Sequence, residues 1–455
     1  MEAIGGEHQG RTTSIRKVAL ASLIGTAIEW YDYFLYGTAA ALVFGQLFFP
    51  GFSPVAGTLA SFATFAVGFG ARPVGGIVFG HFGDRVGRKT MLVVSILIMG
   101  LATFLIGLLP TFDSIGIWAP ILLVTLRIFQ GFAVGGEWGG ATLMAMEHAP
   151  ANKRGFYTTW PQMGVSVGLL LGTSIIYLFA LLPEEQFLAW GWRFPFLLSL
   201  VLVIVGVYIR LKIMESPSFR RLQEAGSQAR VPLGEVLRDY KMVTLLVIGA
   251  QCAVNVCFYV FTTWSISYLT GQLGLSTAAA LSAVMIAAAL DFFAQALFGA
   301  WSDKIGRRPI YLAGSAFFGL FAFPFFWLLN TGSVFLIVVA LVLGISLGHG
   351  ATYSTQASFF AEQFGTRVRY SGVSFGYQLA GTLWSGPAPF VAAALLAWTG
   401  SVWAISLFMV LASIVSVISI YLASETFQKD IDEVEPRQGD TVASVSRNSG
   451  GGETV

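Results

Sequence analysis

The sequence predicts an all-α membrane protein: twelve transmembrane helices in two pseudo-symmetric six-helix bundles. Three observations carry this. The 455 residues are 55% hydrophobic and only 11% charged, against roughly 25% charged in soluble proteins. A polar turn occurs twice, as Gly80-His81-Phe82-Gly83-Asp84-Arg85-Val86-Gly87-Arg88-Lys89 and as Gly299-Ala300-Trp301-Ser302-Asp303-Lys304-Ile305-Gly306-Arg307-Arg308, 219 positions apart. A repeat close to half the chain length means two halves of one architecture. Positive charge is also one-sided: of the 26 Lys and Arg, only Arg72, Arg127 and Arg193 lie outside the N-terminus, the loops after even-numbered segments, the central stretch and the tail. That asymmetry places both termini and both repeated turns in the cytoplasm.

Taken in order, the apolar runs long enough to span a bilayer are 18–48, 55–79, 90–109, 118–146, 155–182, 193–212, 241–270, 277–299, 309–329, 333–360, 370–398 and 401–423. They divide the chain into a cytoplasmic N-terminus (1–17), a first bundle (18–212), a polar central loop (213–240), a second bundle (241–424) and a disordered cytoplasmic tail (425–455). The first 17 residues have no apolar core, so no cleavable signal peptide is expected. Gly131, Gly135 and Gly139 in the fourth span, and Gly164, Gly168 and Gly172 in the fifth, recur every four residues and predict close helix contacts in lipid. Cys252 and Cys257 face different sides of one helix and predict neither a disulfide nor a metal site.

An ionisable group inside a bilayer costs roughly 2.5–3.5 kcal/mol on insertion scales, so each one needs a reason. The candidates are Glu29, Asp32, Arg72, Arg127, Glu137 and Asp291. Glu29, Asp32, Tyr33 and Tyr36 share one face of the first span, and Arg127, Gln130 and Glu137 form a stripe on the fourth. Glu29, Asp32, Glu137 and Asp291 are read as proton-coupling acids. Arg127 and Arg72 are read as contacts for a substrate carboxylate. Arg72 and Asp291 each precede the opening glycine of their turn by eight residues, so they hold equivalent positions in the two halves. Neutral partners for a substrate are Tyr33, Tyr36 and Gln130 in the first half, and Asn255, Tyr259, Tyr353, Gln356, Gln378 and Trp384 in the second. Trp30, Tyr33, Trp264 and Trp384 could cage a quaternary ammonium. His81 reads as solvated; His349 could titrate near neutral pH, but a satisfied core histidine is the preferred reading. The turns read as cytoplasmic gates: Gly80, Asp84, Arg85, Gly87 and Arg88 in the first half, and Gly299, Asp303, Gly306 and Arg307 in the second. Asp84 and Asp303 can cap helix N-termini, and Arg85, Arg88 and Lys89 can reach Glu147.

The repeated turn resembles the signature loop of the major facilitator superfamily. A second repeat agrees with it: Glu147 with Arg154 after the fourth span, Glu362 with Arg369 after the tenth. Further stretches are similar to the metabolite:H⁺ symporter family, which includes carriers of α-ketoglutarate, citrate, shikimate and proline/betaine. They are Gly25-Thr26-Ala27-Ile28-Glu29-Trp30-Tyr31-Asp32-Tyr33, Arg72-Pro73-Val74-Gly75-Gly76, Arg127-Ile128-Phe129-Gln130-Gly131, Gly191-Trp192-Arg193-Phe194-Pro195-Phe196 and Glu215-Ser216-Pro217. The resemblance covers Arg16 to Ser424. It implies a major facilitator fold and proton-driven import by alternating access in a bacterial cytoplasmic membrane. Its implied partners are a small-molecule substrate, protons and the lipid bilayer, with no nucleic acid and no cofactor, in a monomer. Sugar:H⁺ symporters of the superfamily pair an acid on helix one with an Arg on helix four, which on that resemblance matches Asp32 with Arg127. Osmosensing members resemble one another in a C-terminal coiled coil that this tail lacks, so the resemblance does not extend to osmosensing.

The leading reading is therefore import of a small organic acid or zwitterion, with proline/betaine-type osmolyte uptake as the alternative. Proton-driven drug efflux and a non-transporting sensor are weaker: the fifth span lacks a Gly/Pro-rich antiporter signature, and the tail offers no output domain. No Gly-x-x-x-x-Gly-Lys loop supports ATP-driven pumping, and no catalytic constellation marks an enzyme.

Overall fold

A computed structural model describes residues 15–86, 88–212, 232–365 and 368–427. Twelve long helices run through them: α1 Ile15–Leu42, α2 Pro54–Val86, α3 Arg88–Leu108, α4 Trp118–His148, α5 Arg154–Ala180, α6 Arg193–Lys212, α7 Lys241–Gly271, α8 Thr277–Ile305, α9 Arg307–Leu329, α10 Val334–Ala361, α11 Arg369–Thr399 and α12 Trp403–Leu422. Among the described residues nine helices are long and apolar enough to cross a membrane, or ten if Glu184–Gly191 and Arg193–Ile209, bent by 42°, form one span. α1 falls short on composition because Glu29 and Asp32 stand in its middle. Within the central stretch Pro232–Asp239 is helical; the remainder of that loop and most of the predicted tail lie outside the described residues.

The helix ends differ from expectation at the repeated turns. The sequence placed the ends of the second and eighth spans at residues 79 and 299, where polarity begins. α2 instead continues to Val86 and α8 to Ile305. A helix has no reason to stop at the edge of the hydrocarbon, because its backbone bonds remain satisfied while side chains meet water. What ends α8 is Gly306, whose φ of 102° only glycine adopts readily.

Both glycine stripes do what their spacing predicts. A Cβ on Gly168 would lie 2.8 Å from the Ala27 carbonyl oxygen, and one on Gly164 would lie 2.6 Å from that of Leu23. α1 and α5 therefore touch backbone to backbone. Gly131 meets the Gly68 carbonyl of α2 in the same way, and Gly135 meets that of Arg72. Gly139 faces Ser374 of α11, in the other half. α4 is interrupted by a turn at 135–137, where two glycines in succession lower helix propensity.

Three second-half helices carry wide π-helical turns: Val260–Trp264 in α7, Leu343–His349 in α10 and Gly381–Ser385 in α11. Such turns are frequent at functional sites. All three contribute to the space between the bundles.

Candidate functional site

Between the halves lies a narrow cavity. Its first-half wall includes Trp30 and Arg72, and its second-half wall includes Asn255, Tyr259, His349, Tyr353 and Tyr377. Arg72 is buried. Its guanidinium carbon lies 4.2 Å from the ring centres of both Tyr33 and Phe69, and 5.5 Å from that of Trp30. Arg127 is also buried, one layer back. Its guanidinium carbon is 4.0 Å from the Tyr33 ring and 4.2 Å from the Tyr36 ring, and Nη1 donates to Gln130 Oε1 at 3.1 Å. Gly68 leaves the room it needs, since a Cβ there would collide with the guanidinium. Tyr33 is thus shared by two buried arginines.

Neither arginine meets a carboxylate. Nε and Nη2 of both, and the hydroxyls of Tyr33 and Tyr259, have no hydrogen-bond partner among the described residues. The aromatic faces contribute about 0.5–2 kcal/mol each. Burying an unpaired cation costs several kcal/mol. An anion would supply the counter-charge that neither cage contains.

The expected pairing of Asp32 with Arg127 is not made. Asp32 is buried, and neither carboxylate oxygen has a hydrogen-bond partner. Its neighbour is Thr103 of α3, whose hydroxyl accepts from Gln130 at 2.7 Å. The reason is rotational: on α1 Tyr33 and Tyr36 turn toward Arg127, and Asp32, one residue from Tyr33, is carried about 100° away from it. Glu29 is buried on the same helix. Glu137 is buried at the break in α4 and accepts from Ser95 of α3.

Asp291 sits in a network. Its Oδ2 accepts from Ser166 of α5 at 2.6 Å and from Gln295 at 2.7 Å, and lies 3.0 Å from His349 Nδ1. His349 is buried and hydrogen-bonded, as the sequence reading expects, and it also lines the cavity. Sequence reasoning left His349 in the core and passed over Ser166 and Gln295. The available signal was a polar residue in each of three apolar helices, with no way of seeing that the three meet.

Other expected contacts separate into two groups. Asn255, Tyr259 and Tyr353 line the cavity, and the Tyr353 and Tyr377 hydroxyls are 3.0 Å apart. Gln356 turns to Tyr311. Gln378 donates across the halves to the Gly135 carbonyl at 2.8 Å, and Trp384 donates to that of Ile248 at 3.0 Å. These three hold helices together and do not line the cavity. Tyr36 donates to Thr64 at 2.7 Å. The expected ammonium cage is not assembled either. Trp30 and Tyr33 stack on Arg72, while Trp264 stacks on Tyr268 with ring centres 5.0 Å apart.

The halves also meet at the face that carries the repeated turns. Asp303 accepts from the backbone N–H groups of Gly155 (2.8 Å) and Phe156 (2.9 Å), in the first turn of α5. It therefore caps a helix of the opposite bundle, where the dipole favours a carboxylate. Gly155 and Gly299 allow this approach, Gly155 facing Ser302 and Asp303, Gly299 facing Thr159. Arg307 Nη1 lies 2.9 Å from Asp303, and its Nε lies 3.5 Å from Glu362. Glu362 accepts from Thr426 at 2.7 Å. Burial pushes its carboxyl above the ordinary carboxylate range, against the opposing pull of Arg307. Arg369 donates to the Phe364 carbonyl at 3.1 Å. Arg154 opens α5 with Nε unpartnered, and Glu147 is exposed. In the first-half turn Asp84 and Arg85 fall in α2, Arg88 opens α3, and Gly87 lies outside the described residues. Side-chain contacts from Gly80, Asp84, Arg85, Arg88 and Lys89, including the expected reach to Glu147, also lie outside them.

Two helical bundles around a buried polar cavity, closed by charged contacts at one face, define a membrane carrier rather than an enzyme. The sequence agrees: residues 22–389 match the Major Facilitator Superfamily. The chain is 42% identical to the shikimate transporter of Escherichia coli (strain K12) over 415 residues, covering 90% of this chain and 95% of that protein. It is 34% identical to the proline/betaine transporter of the same strain over 436 residues, covering 94% and 87%. In fold it is similar to the proton:xylose symporter XylE, with a TM-score of 0.72 at 16% identity over 92% of this chain and 98% of that one. The chain belongs to the Major Facilitator Superfamily and, within it, to the metabolite:H⁺ symporters.

Proposed function

We propose that this protein imports a small organic acid together with a proton. The observation that carries the substrate class is Arg72: a buried guanidinium on the cavity wall, with unpartnered N–H groups and no carboxylate of the protein beside it. A planar fork of this kind suits a carboxylate. Arg127, behind Tyr33, supports the positive field. Tyr259, Asn255, Tyr353 and Tyr377 supply hydroxyl and amide contacts across the cavity. Betaine-type substrates also carry a carboxylate, but Trp30 and Tyr33, two of the aromatic faces expected to hold their ammonium, already carry Arg72.

Wild-type protein in proteoliposomes with an acid-outside pH gradient should accumulate at least one member of a panel of shikimate, citrate, α-ketoglutarate, proline and glycine betaine, with the acids ahead of the betaine. Accumulation of betaine alone would overturn the substrate class. Accumulation that ignores the pH gradient would overturn proton coupling.

The orientation proposed is both termini and both repeated turns in the cytoplasm of a bacterium, with the chain acting as a monomer. The one-sided Lys and Arg support this orientation. Both native cysteines are buried, so a cysteine at the exposed position Glu147 can be probed against a low background. Glu147→Cys should react with an impermeant maleimide only after the cells are opened. Reaction in intact cells would reverse the orientation.

A further inference from the structure

We propose that His349 of α10 and Asp291 of α8 form the site of the transported proton, on the wall of the same cavity that holds Arg72. The dyad rests on its own geometry; its role in coupling rests on the reading of this protein as an importer of organic anions.

The geometry leaves the imidazole one free edge. His349 is near-parallel to Phe258, with ring centres 4.0 Å apart, and to Tyr353, at 4.6 Å, each with an interplanar angle of 19°. Its Nδ1 edge is held by Asp291 Oδ2 at 3.0 Å. That oxygen is fixed in turn by Ser166 and Gln295, which bond to each other at 2.7 Å. The remaining nitrogen, Nε2, makes no hydrogen bond among the described residues, and the residue lines the cavity. A carboxylate on one ring nitrogen selects the tautomer and leaves the other as the proton acceptor.

The surroundings hold few competing charges. α8 contributes Asp291; α7 and α11 contribute the phenols Tyr259 and Tyr377, and α10 itself contributes Tyr353. α5 contributes the Ser166 hydroxyl, and α9 packs Phe318 against Gly348. Arg72 is the cation that shares the cavity. Asp32, by contrast, does not line the cavity, and no hydrogen bond links it to a residue that does.

Coupling follows from charge. With neutral imidazole and ionised Asp291 the dyad carries −1, which opposes a substrate carboxylate entering beside Arg72. A proton taken from water onto Nε2 gives an imidazolium–carboxylate pair of net charge zero, and the opposition disappears. Release of that proton to water on the other side restores −1 and favours substrate departure. Proton and substrate then bind with mutual advantage, which is symport.

Four histidines in the chain make the test tractable. In ¹⁵N-histidine-labelled protein purified in detergent, the ring signals absent from H349Q should change with pH. Their midpoint should move in D291N. In proteoliposomes loaded with the panel acid that the wild type accumulates, shikimate being tried first, H349Q and D291N should lose pH-driven accumulation more than tenfold. Both should keep exchange within about threefold of wild type. Signals that do not titrate, a midpoint unmoved in D291N, or an H349Q protein that still concentrates the acid would each overturn the proposal. If the wild type accumulates no panel acid, the substrate reading fails, and the titration alone decides the dyad. If H349Q does not fold, H349N takes its place.

Discussion

Arg72→Ala abolishes uptake, and in a binding assay it weakens affinity for the transported acid by two orders of magnitude or more. Truncating one partner of a buried, hydrogen-bonded charge pair costs about 2–5 kcal/mol, and 2.7 kcal/mol is already about a hundredfold. Arg72→Lys recovers little, because a point charge on a flexible stem replaces neither the fork nor the stacking on Tyr33 and Phe69. The protein itself should tolerate the alanine. The wild type bears an uncompensated buried cation, so thermal stability without substrate is expected to hold or to rise, while stabilisation by added acid disappears. Isothermal titration and a thermal-shift series with and without the acid measure both halves of this. Unchanged affinity in Arg72→Ala would move the substrate carboxylate elsewhere, with Arg127 the next candidate.

Asp303→Asn is expected to open the turn-bearing face. The carboxylate joins three groups at once: two N–H groups at the start of α5 and the guanidinium of Arg307. Asparagine keeps the size but loses the charge, with charge-assisted bonds contributing about 1.5–3 kcal/mol each. A loss of that order moves the equilibrium between closed and open arrangements ten- to a hundredfold. The readout is a cysteine at Ser385 on the cavity wall. Its alkylation by a soluble maleimide should accelerate by that factor in the Asp303→Asn background, and net uptake should slow. An unchanged alkylation rate would make the turn a connector and no more.

How far the sequence could see depends on what each feature required. Span positions came from hydropathy, a local property, and the twelve helices lie where the apolar runs are. Close packing at Gly164 and Gly168 was legible because four-residue spacing fixes one helix face. Asp303 was legible as a capping residue, but not as the cap of a helix in the opposite half. Contacts between helices depend on the rotation of each about its own axis, which composition does not encode. The pairing of Asp32 with Arg127 was implied by a resemblance, and the rotation of α1 undoes it; the meeting of His349 with Asp291 was equally out of sight. The same limit explains Gln378 and Trp384: a polar atom in an apolar helix announces that it has a partner, but the partner turned out to be a backbone carbonyl rather than a ligand. Arg72 was found because charge in a bilayer is rare enough to stand out alone.

The wide turns of α7, α10 and α11 set the winding of three second-half helices. A π turn holds one residue more than the α turn it replaces. Removing one residue from Leu343–His349 would return α10 to regular winding and rotate everything beyond it by about 100°. Glu362 would then swing away from Arg307. Each wide turn is thus a single-residue splice that sets the phase between cavity and gate along one rod. Gene duplication can supply two similar bundles; splices of this size are enough to make one differ from the other.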